Sequence, residues 1–378
     1  MRRPELPALT GVRFYAALAV FLSHVSVIPG MDGLSEDRLP FSVGVVGVSF
    51  FFVLSGFILT YNYADLFSAG ISGLAWTRFV RDRWARIYPV HLATLLLALP
   101  IQIFSPNLPL DWRVVPFHAL LIQCFWPWPK WTVFNYLNVP SWSISCEWFF
   151  YLLAPVAIYL VFGTIRRWIL VAAVVLYAGG LGWLLSQGSS DFARLYLVSW
   201  FAPSRIPEFV VGVFTARAFL KKGGAIPAKA AGPMRIAGIL LVIAGAVYRK
   251  FAPWPLWGGL LYVPGSALLI PGLAKGSGVF ARHLGRPWLK RLGAASFSFY
   301  LLQAPILRAA RGVFLLSGLA VHSWIAFWAV AAMMFAIVQV SAFITHDRYE
   351  MPLQKWLRSP RRAAGTPMRS AYAANTGS

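Results

Sequence analysis

Acidic residues are scarce. Aspartate and glutamate together number 12 against 34 lysines and arginines, and charged residues of both signs make up only 12% of the 378. A soluble domain carries about a quarter, so this chain cannot clothe itself in a charged aqueous surface. Cysteine is nearly absent: Cys124 and Cys146 are too few for a disulfide framework or a thiolate metal site, and one bond between them is the most they allow. No segment repeats at a fixed period, and no loop is long enough for a second folded domain. A cleavage pattern is also missing. The N-terminus MRRPELPALTG sets basic residues before an apolar stretch, but Arg13 interrupts that stretch and SHVSVIPG closes it. It reads as a retained first helix, not a signal peptide.

What is abundant is apolar and aromatic, at 58% and 16% of the residues. Runs close to the ~20 residues that cross a bilayer recur from end to end. They fall at 9–28, 43–63, 87–105, 142–162, 167–186, 195–216, 235–250, 255–274, 294–312 and 323–345. The net charge of +22 raises nucleic acid as a partner, but the basic residues sit in short loops between apolar runs, as topology signals do. An eleventh segment, 112–126, is short and polar (DWRVVPFHALLIQCF spans 111–125). If it does not cross and the N-terminus is cytoplasmic, inner loops and tails hold 24 basic residues against 8 outside. If it crosses, the basic loops 217–235 and 275–291 face outward. The positive-inside rule thus predicts an all-α polytopic bundle of about ten transmembrane helices, both termini cytoplasmic, with 112–126 re-entrant or on the surface. Residues 29–42, with three acids, suit an exterior turn. Residues 1–345 form the membrane domain and 346–378 a basic cytoplasmic tail, mostly disordered after about 358.

Ionisable groups inside a membrane are costly and mark function by default. The short list of candidates is Arg13, His24, Glu147, Arg205 and Glu208, with His91 and His118 nearer boundaries. Arg13 and His24 are eleven residues apart, about three turns or roughly 16 Å, so they share one helix face. Alone, Arg13 reads equally as a snorkelling side chain and His24 as a packed one; together on one face they suggest a shared cavity. Glu147, among bulky aromatics, needs a partner: His24, Arg205 or a substrate hydroxyl. Arg205 and Glu208 are three apart and suit an ion pair. The inner loop TRFVRDRWARIYP carries Arg78, Arg81, Arg83 and Arg86. Basic residues there are ordinary topology chemistry, but Arg83 and Arg86 share a face as the third span begins and can clamp phosphates. A phosphate-binding end inside and a His/Glu end toward the outside fit a long, thin donor such as an acyl-coenzyme A.

At this point the motifs resemble the acyltransferase-3 family of membrane proteins, which O-acylate surface polysaccharides, lipooligosaccharides and some antibiotics. Its Arg-x10-His signature appears as LTGVRFYAALAVFLSH with Arg13 and His24. Its Arg-x-x-Arg motif appears as Arg83 and Arg86 in RWARIYP, and its Trp-Ser…Glu segment as Trp142, Ser143 and Glu147. GVSFFFVLSGFILT is similar to its second-helix motif, with Ser49 where many members have aspartate. SRIPEFVVG matches Arg-x-Pro-Glu-Phe, LGAASFSFYLLQAP a late helix that often ends in histidine (here Gln303), and DRYEMPLQKWL, with Glu350, the closing motif. The resemblance covers residues 5–357 in order. It implies the stand-alone form, without an esterase-like domain, in a bacterial cytoplasmic membrane.

The implied reaction is transfer of an acyl group, acetyl by base rate, from acyl-CoA to a hydroxyl of a carbohydrate or glycosylated acceptor, with no metal. His24 and Glu147 are the expected catalytic groups. Arg13, Trp142, Ser143, Arg205 and Glu208 are expected at the substrate, and Arg83 and Arg86 at the coenzyme A phosphates. Acylation of a macrolide-type metabolite is the alternative acceptor. A saccharide transporter or flippase is the rival class, which the lack of paired half-repeats disfavours.

Overall fold

A computed structural model describes residues 3–29, 43–104, 110–126, 137–186, 197–224, 226–251 and 256–359. The expected acidic turn at 29–42 and the disordered tail fall almost wholly outside the described residues. The described residues are helical, without a strand. The main helices are α1 (Pro7–His24), α2 (Val43–Phe67), α3 (Gly73–Ile103), the short α4 (Val115–Ala119), α5 (Ser141–Phe162), α6 (Arg166–Ser186), α7 (Ile206–Lys221), α8 (Ala228–Phe251) and α9 (Leu256–Ala274). They continue with α10 (Val279–Leu284), α11 (Pro287–Ala294), α12 (Ser296–Leu316), α13 (Trp324–Thr345) and α14 (Met351–Arg358). Seven of these stretches are long and apolar enough to cross a membrane by length and composition. Helices overlap the ten expected spans, but the one expected at 195–216 is a 3-10 turn (Ala202–Arg205) followed by α7, which starts only at Ile206 because Pro203 and Pro207 break the run before it. The architecture is an all-α integral membrane bundle.

The boundaries follow local chemistry. Proline at the first turn of α1 and of α11 occupies positions whose N–H needs no partner. Ser72 caps α3 by accepting from the Ala75 N–H at 3.1 Å, and Ser323 caps α13 through Ala326 at 3.2 Å. The Ser72 cap moves one boundary: α3 starts at Gly73, not near 87, so Arg78 to Arg86 lie on a helix and not in a loop. Arg83 is ten residues inside it, about 15 Å along the axis.

Helix α2 is the hub. Its side chains enter two of the apolar clusters, Phe52 and Leu59 in one and Phe50, Val53 and Phe57 in another. Phe51 packs against those two and a third. Against α7 the backbones touch: a Cβ on Gly56 would run into the Phe209 carbonyl oxygen, and one on Gly212 into that of Val53. Small residues are how membrane helices gain such proximity.

The 112–126 segment does not cross. It forms a 3-10 turn (Trp112–Val114) and the five-residue α4, then reverses at Leu121, whose φ is +57°. Its polar groups are met inside the bundle. His91 Nε2 pairs with the His118 carbonyl at 2.8 Å, Ser145 Oγ donates to Leu121 O at 2.8 Å, and Gln123 Nε2 donates to Ser141 at 3.2 Å. Non-helical backbone at depth is tolerated only when so buried. The same packing sets where α5 begins. Asn138 Nδ2 donates to Leu301 O at 3.0 Å and Arg308 to Leu137 O at 2.7 Å, so α5 starts level with the interior of α12.

Candidate active site

Five helices enclose one cavity of about 160 Å³. That is room for on the order of ten waters, far more than a packing defect. The first turns of α12 supply Ser296, Phe297 and Tyr300, and α5 supplies Ser143, Glu147 and Tyr151. Helix α3 gives Arg83 and Arg86, α1 gives Arg13, and α2 gives an apolar strip from Val48 to Leu59 broken by Ser55. Three guanidiniums therefore face one carboxylate across a low-dielectric space. The excess is positive, and the ligand such a site favours is an anion.

The four charges are held differently. Glu147 Oε1 accepts from Tyr151 Oη at 2.5 Å and from Ser55 Oγ at 3.4 Å. Arg83 donates to Tyr63 Oη at 3.2 Å and lies over the Tyr63 and Tyr151 rings. Arg86 is fixed hardest: Nη1 meets Glu350 at 2.5 Å and its guanidinium lies over the Phe297 ring. Glu350, 1% exposed, also accepts from Ser298 Oγ at 2.7 Å and pairs with His346 Nδ1 at 3.0 Å. It is delivered by a wide π-turn, His346–Glu350, between α13 and α14, a distortion that often marks functional sites. Arg13 is the exception. It makes no hydrogen bond or ion pair among the described residues and stands within electrostatic reach of Arg86, Glu147 and Glu350.

The structure thus brings together Arg13, Arg83, Arg86, Ser143 and Glu147. Ser143 Oγ spends its one proton on the Pro140 carbonyl at 2.9 Å, so Tyr300 Oη is the donor in their 2.6 Å contact. Trp142 is buried edge-on to Phe52 and does not line the cavity. Arg205 and Glu208 lie outside the lining as an ion pair of 2.9 Å. Ser49 locks that pair to α2, donating to Glu208 at 2.7 Å and accepting from Arg205 at 2.9 Å. In this lock Glu208 supplies the charge and Ser49 the bridge.

His24 ends α1 and is not in the lining. Its buried Nδ1 makes no well-formed hydrogen bond among the described residues. Cβ atoms at Gly44 and Gly47 would meet Ser23 and Ala16 respectively. The cavity's outermost α2 residue, Val48, is therefore level with Ala16 to Val20, about one helical turn short of His24. Sequence reasoning did not assign roles to Tyr151, Ser55, Tyr300, Ser296 or Glu350. Tyr151 was within reach, being four residues after Glu147 on one helix face. The others lie in motifs quoted above but arrive from distant helices, and no spacing in the chain points them at one cavity.

A family model described as Acyltransferase domain matches residues 6–346. Acyltransferase MdmB of Streptomyces mycarofaciens is 32% identical, over 96% of this chain and 95% of its own length. The peptidoglycan O-acetyltransferase OatA of Listeria monocytogenes is 23% identical over 81% of this chain. The O-acetyltransferase OatA of Staphylococcus aureus is 24% identical over 93%. The chain spans only 50% and 57%, respectively, of the length of those two. No solved structure matches.

Proposed function

The chain belongs to this acyltransferase family and is an O-acyltransferase, and from that premise we propose that it takes an acyl group, acetyl in the first instance, from acyl-coenzyme A. The acceptor is a hydroxyl of a carbohydrate or glycosylated molecule, with a glycosylated macrolide as the alternative. The setting is the bacterial cytoplasmic membrane with both termini in the cytoplasm, as the basic loops favour. The observation that carries the reading is the cavity: three guanidiniums over one carboxylate, reaching from Arg83 and Arg86 to within a turn of His24.

In the proposal Arg13, Arg83 and Arg86 draw the anionic donor into the bundle from the cytoplasmic side. The thioester lies near Glu147. His24 accepts the acceptor's hydroxyl proton, a task for which an imidazole suits neutral pH and which contributes about 10²–10⁴-fold. The acceptor oxygen attacks the thioester carbonyl, the carbon–sulfur bond breaks, and the departing thiolate takes the proton back from His24. Glu147, fixed by Tyr151 and Ser55, orients the imidazole or the acceptor. In a variant scheme His24 itself carries the acyl group between the two steps. Arg205 and Glu208, tied to Ser49, hold α7 against α2 behind the site, and Trp142 and Tyr300 support its wall.

A second reading makes Glu147 the base, favoured by the fact that Glu147 lines the cavity and His24 does not. One experiment separates them. Folded His24→Ala that still binds coenzyme A is assayed for thioester consumption with a saccharide acceptor, beside Glu147→Gln. Loss of turnover in His24→Ala supports the first reading; near-normal turnover there with loss in Glu147→Gln transfers the role. Saccharide flux without thioester consumption would overturn both.

A further inference from the structure

Helices α11 and α12 are separate at a place that matters. Ala295 N–H closes the last turn of α11 on Arg291 O at 3.2 Å, and α12 restarts with Phe299 N–H on Ala295 O at 3.0 Å. No side chain caps the restart. The opening N–H groups of a helix have no carbonyl of their own helix one turn back, and 21 aligned peptides place about half a positive charge there. In water this end would be solvated. Here Ser296 and Phe297, its first two residues, are buried and form the cavity wall.

Two further groups point to a ligand. Ser296 is 2% exposed, and its hydroxyl is buried with no hydrogen-bond partner. Its neighbour Ser298 by contrast donates to Glu350. Arg13 faces the same cavity with no hydrogen bond or ion pair among the described residues. A hydroxyl donor, a helix N-terminus and a guanidinium, all unsatisfied around one space, form the donor set that cradles a phosphate.

We infer that the N-terminus of α12, with Ser296 Oγ and the Arg13 guanidinium, is a phosphate-binding site inside the cavity. This rests on the acyl-coenzyme A reading for its occupant, a phosphate of the nucleotide-bearing thioester. Arg86 is held by Glu350, and Arg83 gives one N–H to Tyr63 while its buried Nε stays unmet; Ser296 and Arg13 are the lining donors with no engagement at all among the described residues. Ser296 is then a binding residue.

The test uses the full-length protein in nanodiscs, with Ser296→Ala and Ser296→Asp. The aspartate suits a helix N-terminus beside Arg13, and its carboxylate occupies the anion's place; thermal unfolding confirms that both variants are folded before binding is measured. Binding of coenzyme A, pantetheine and inorganic pyrophosphate is measured by calorimetry. Ser296→Ala weakens coenzyme A about tenfold, the loss of one hydrogen bond to a charged group. Ser296→Asp weakens it by about two orders of magnitude through like-charge repulsion, and leaves pantetheine unchanged. Unaltered coenzyme A affinity in both variants overturns the site and leaves the donor reading standing. Equal weakening of pantetheine also overturns it. Pyrophosphate binding that Ser296→Asp abolishes, in a protein that never binds coenzyme A, upholds the site and overturns the donor reading.

Discussion

Glu350→Gln tests how the cavity's charge is held. Glu350 is 1% exposed and Arg86 20% exposed, so the pair is largely dry on the glutamate side and touches the cavity on the arginine side. Removing one partner of a buried pair costs about 3–5 kcal/mol, because the other charge is left unpaired. Arg86 keeps some access to cavity water, so the lower figure, ~3 kcal/mol, applies. The glutamine is isosteric and still accepts from Ser298, so the loss isolates charge from shape. Thermal unfolding in detergent at fixed protein and lipid content should fall by about 5 °C. Glu147 lines the same cavity as the freed guanidinium, and turnover falls as that carboxylate is neutralised. The decisive comparison is a cycle with Arg86→Gln. Removing both charges together is often close to neutral, so Glu350→Gln/Arg86→Gln should melt above Glu350→Gln. If Glu350→Gln melts with wild type, or the double variant loses the sum of the two singles, the pair does not hold the cavity together and the reasoning fails.

Gly56→Ala places a methyl against the Phe209 carbonyl, costs about 1–3 kcal/mol and depresses acyl transfer by shifting the Ser49–Arg205–Glu208 lock. Gly179→Ala, with open space around its Cβ, is neutral or slightly stabilising; equal thermal effects of the two would refute the close-contact argument. Tyr151→Phe removes the 2.5 Å donor to Glu147 and lowers turnover about tenfold. That effect must vanish in a Glu147→Gln background, as steady-state kinetics on the four proteins will report.

The helices were legible because lipid allows so few alternatives: apolar runs of the right length had to be helical, and basic residues clustered in the loops between them. The 112–126 segment was legible as non-spanning because counting it as a crossing parted two basic loops from the others, and it forms only a five-residue helix before reversing at Leu121. The reach of α3 was not. Its N-terminal part, GLAWTRFVRDRW, carries four charged residues and reads as a loop on hydropathy, although Ser72 caps it as a helix. Within the site, pairs on one helix were visible, such as Arg205 with Glu208. Contacts such as Arg86 with Glu350, 264 positions apart, depend on which faces meet, and no spacing in the chain encodes that.

The glycines of α2 show how one short motif builds the site. Gly44 and Gly47 face α1, where added Cβ atoms would strike Ser23 and Ala16, while Gly56 faces the α7 backbone. With neighbours this close on two sides, α2 cannot rotate, and its third face is committed to the cavity through Phe51, Ser55 and Ile58. Ser55 then meets Glu147, and Ser49, a turn and a half before it, meets Arg205 and Glu208. The two serines differ in burial, Ser49 being fully enclosed and Ser55 half-open to the cavity. The enclosed one fixes a buried charge pair outside the cavity lining, and the open one leaves Glu147 an oxygen toward the space. Helix α2 thus separates a buried ion pair from a carboxylate that lines the cavity. A substitution at Ser49 should register in stability before activity, and one at Ser55 in the reverse order.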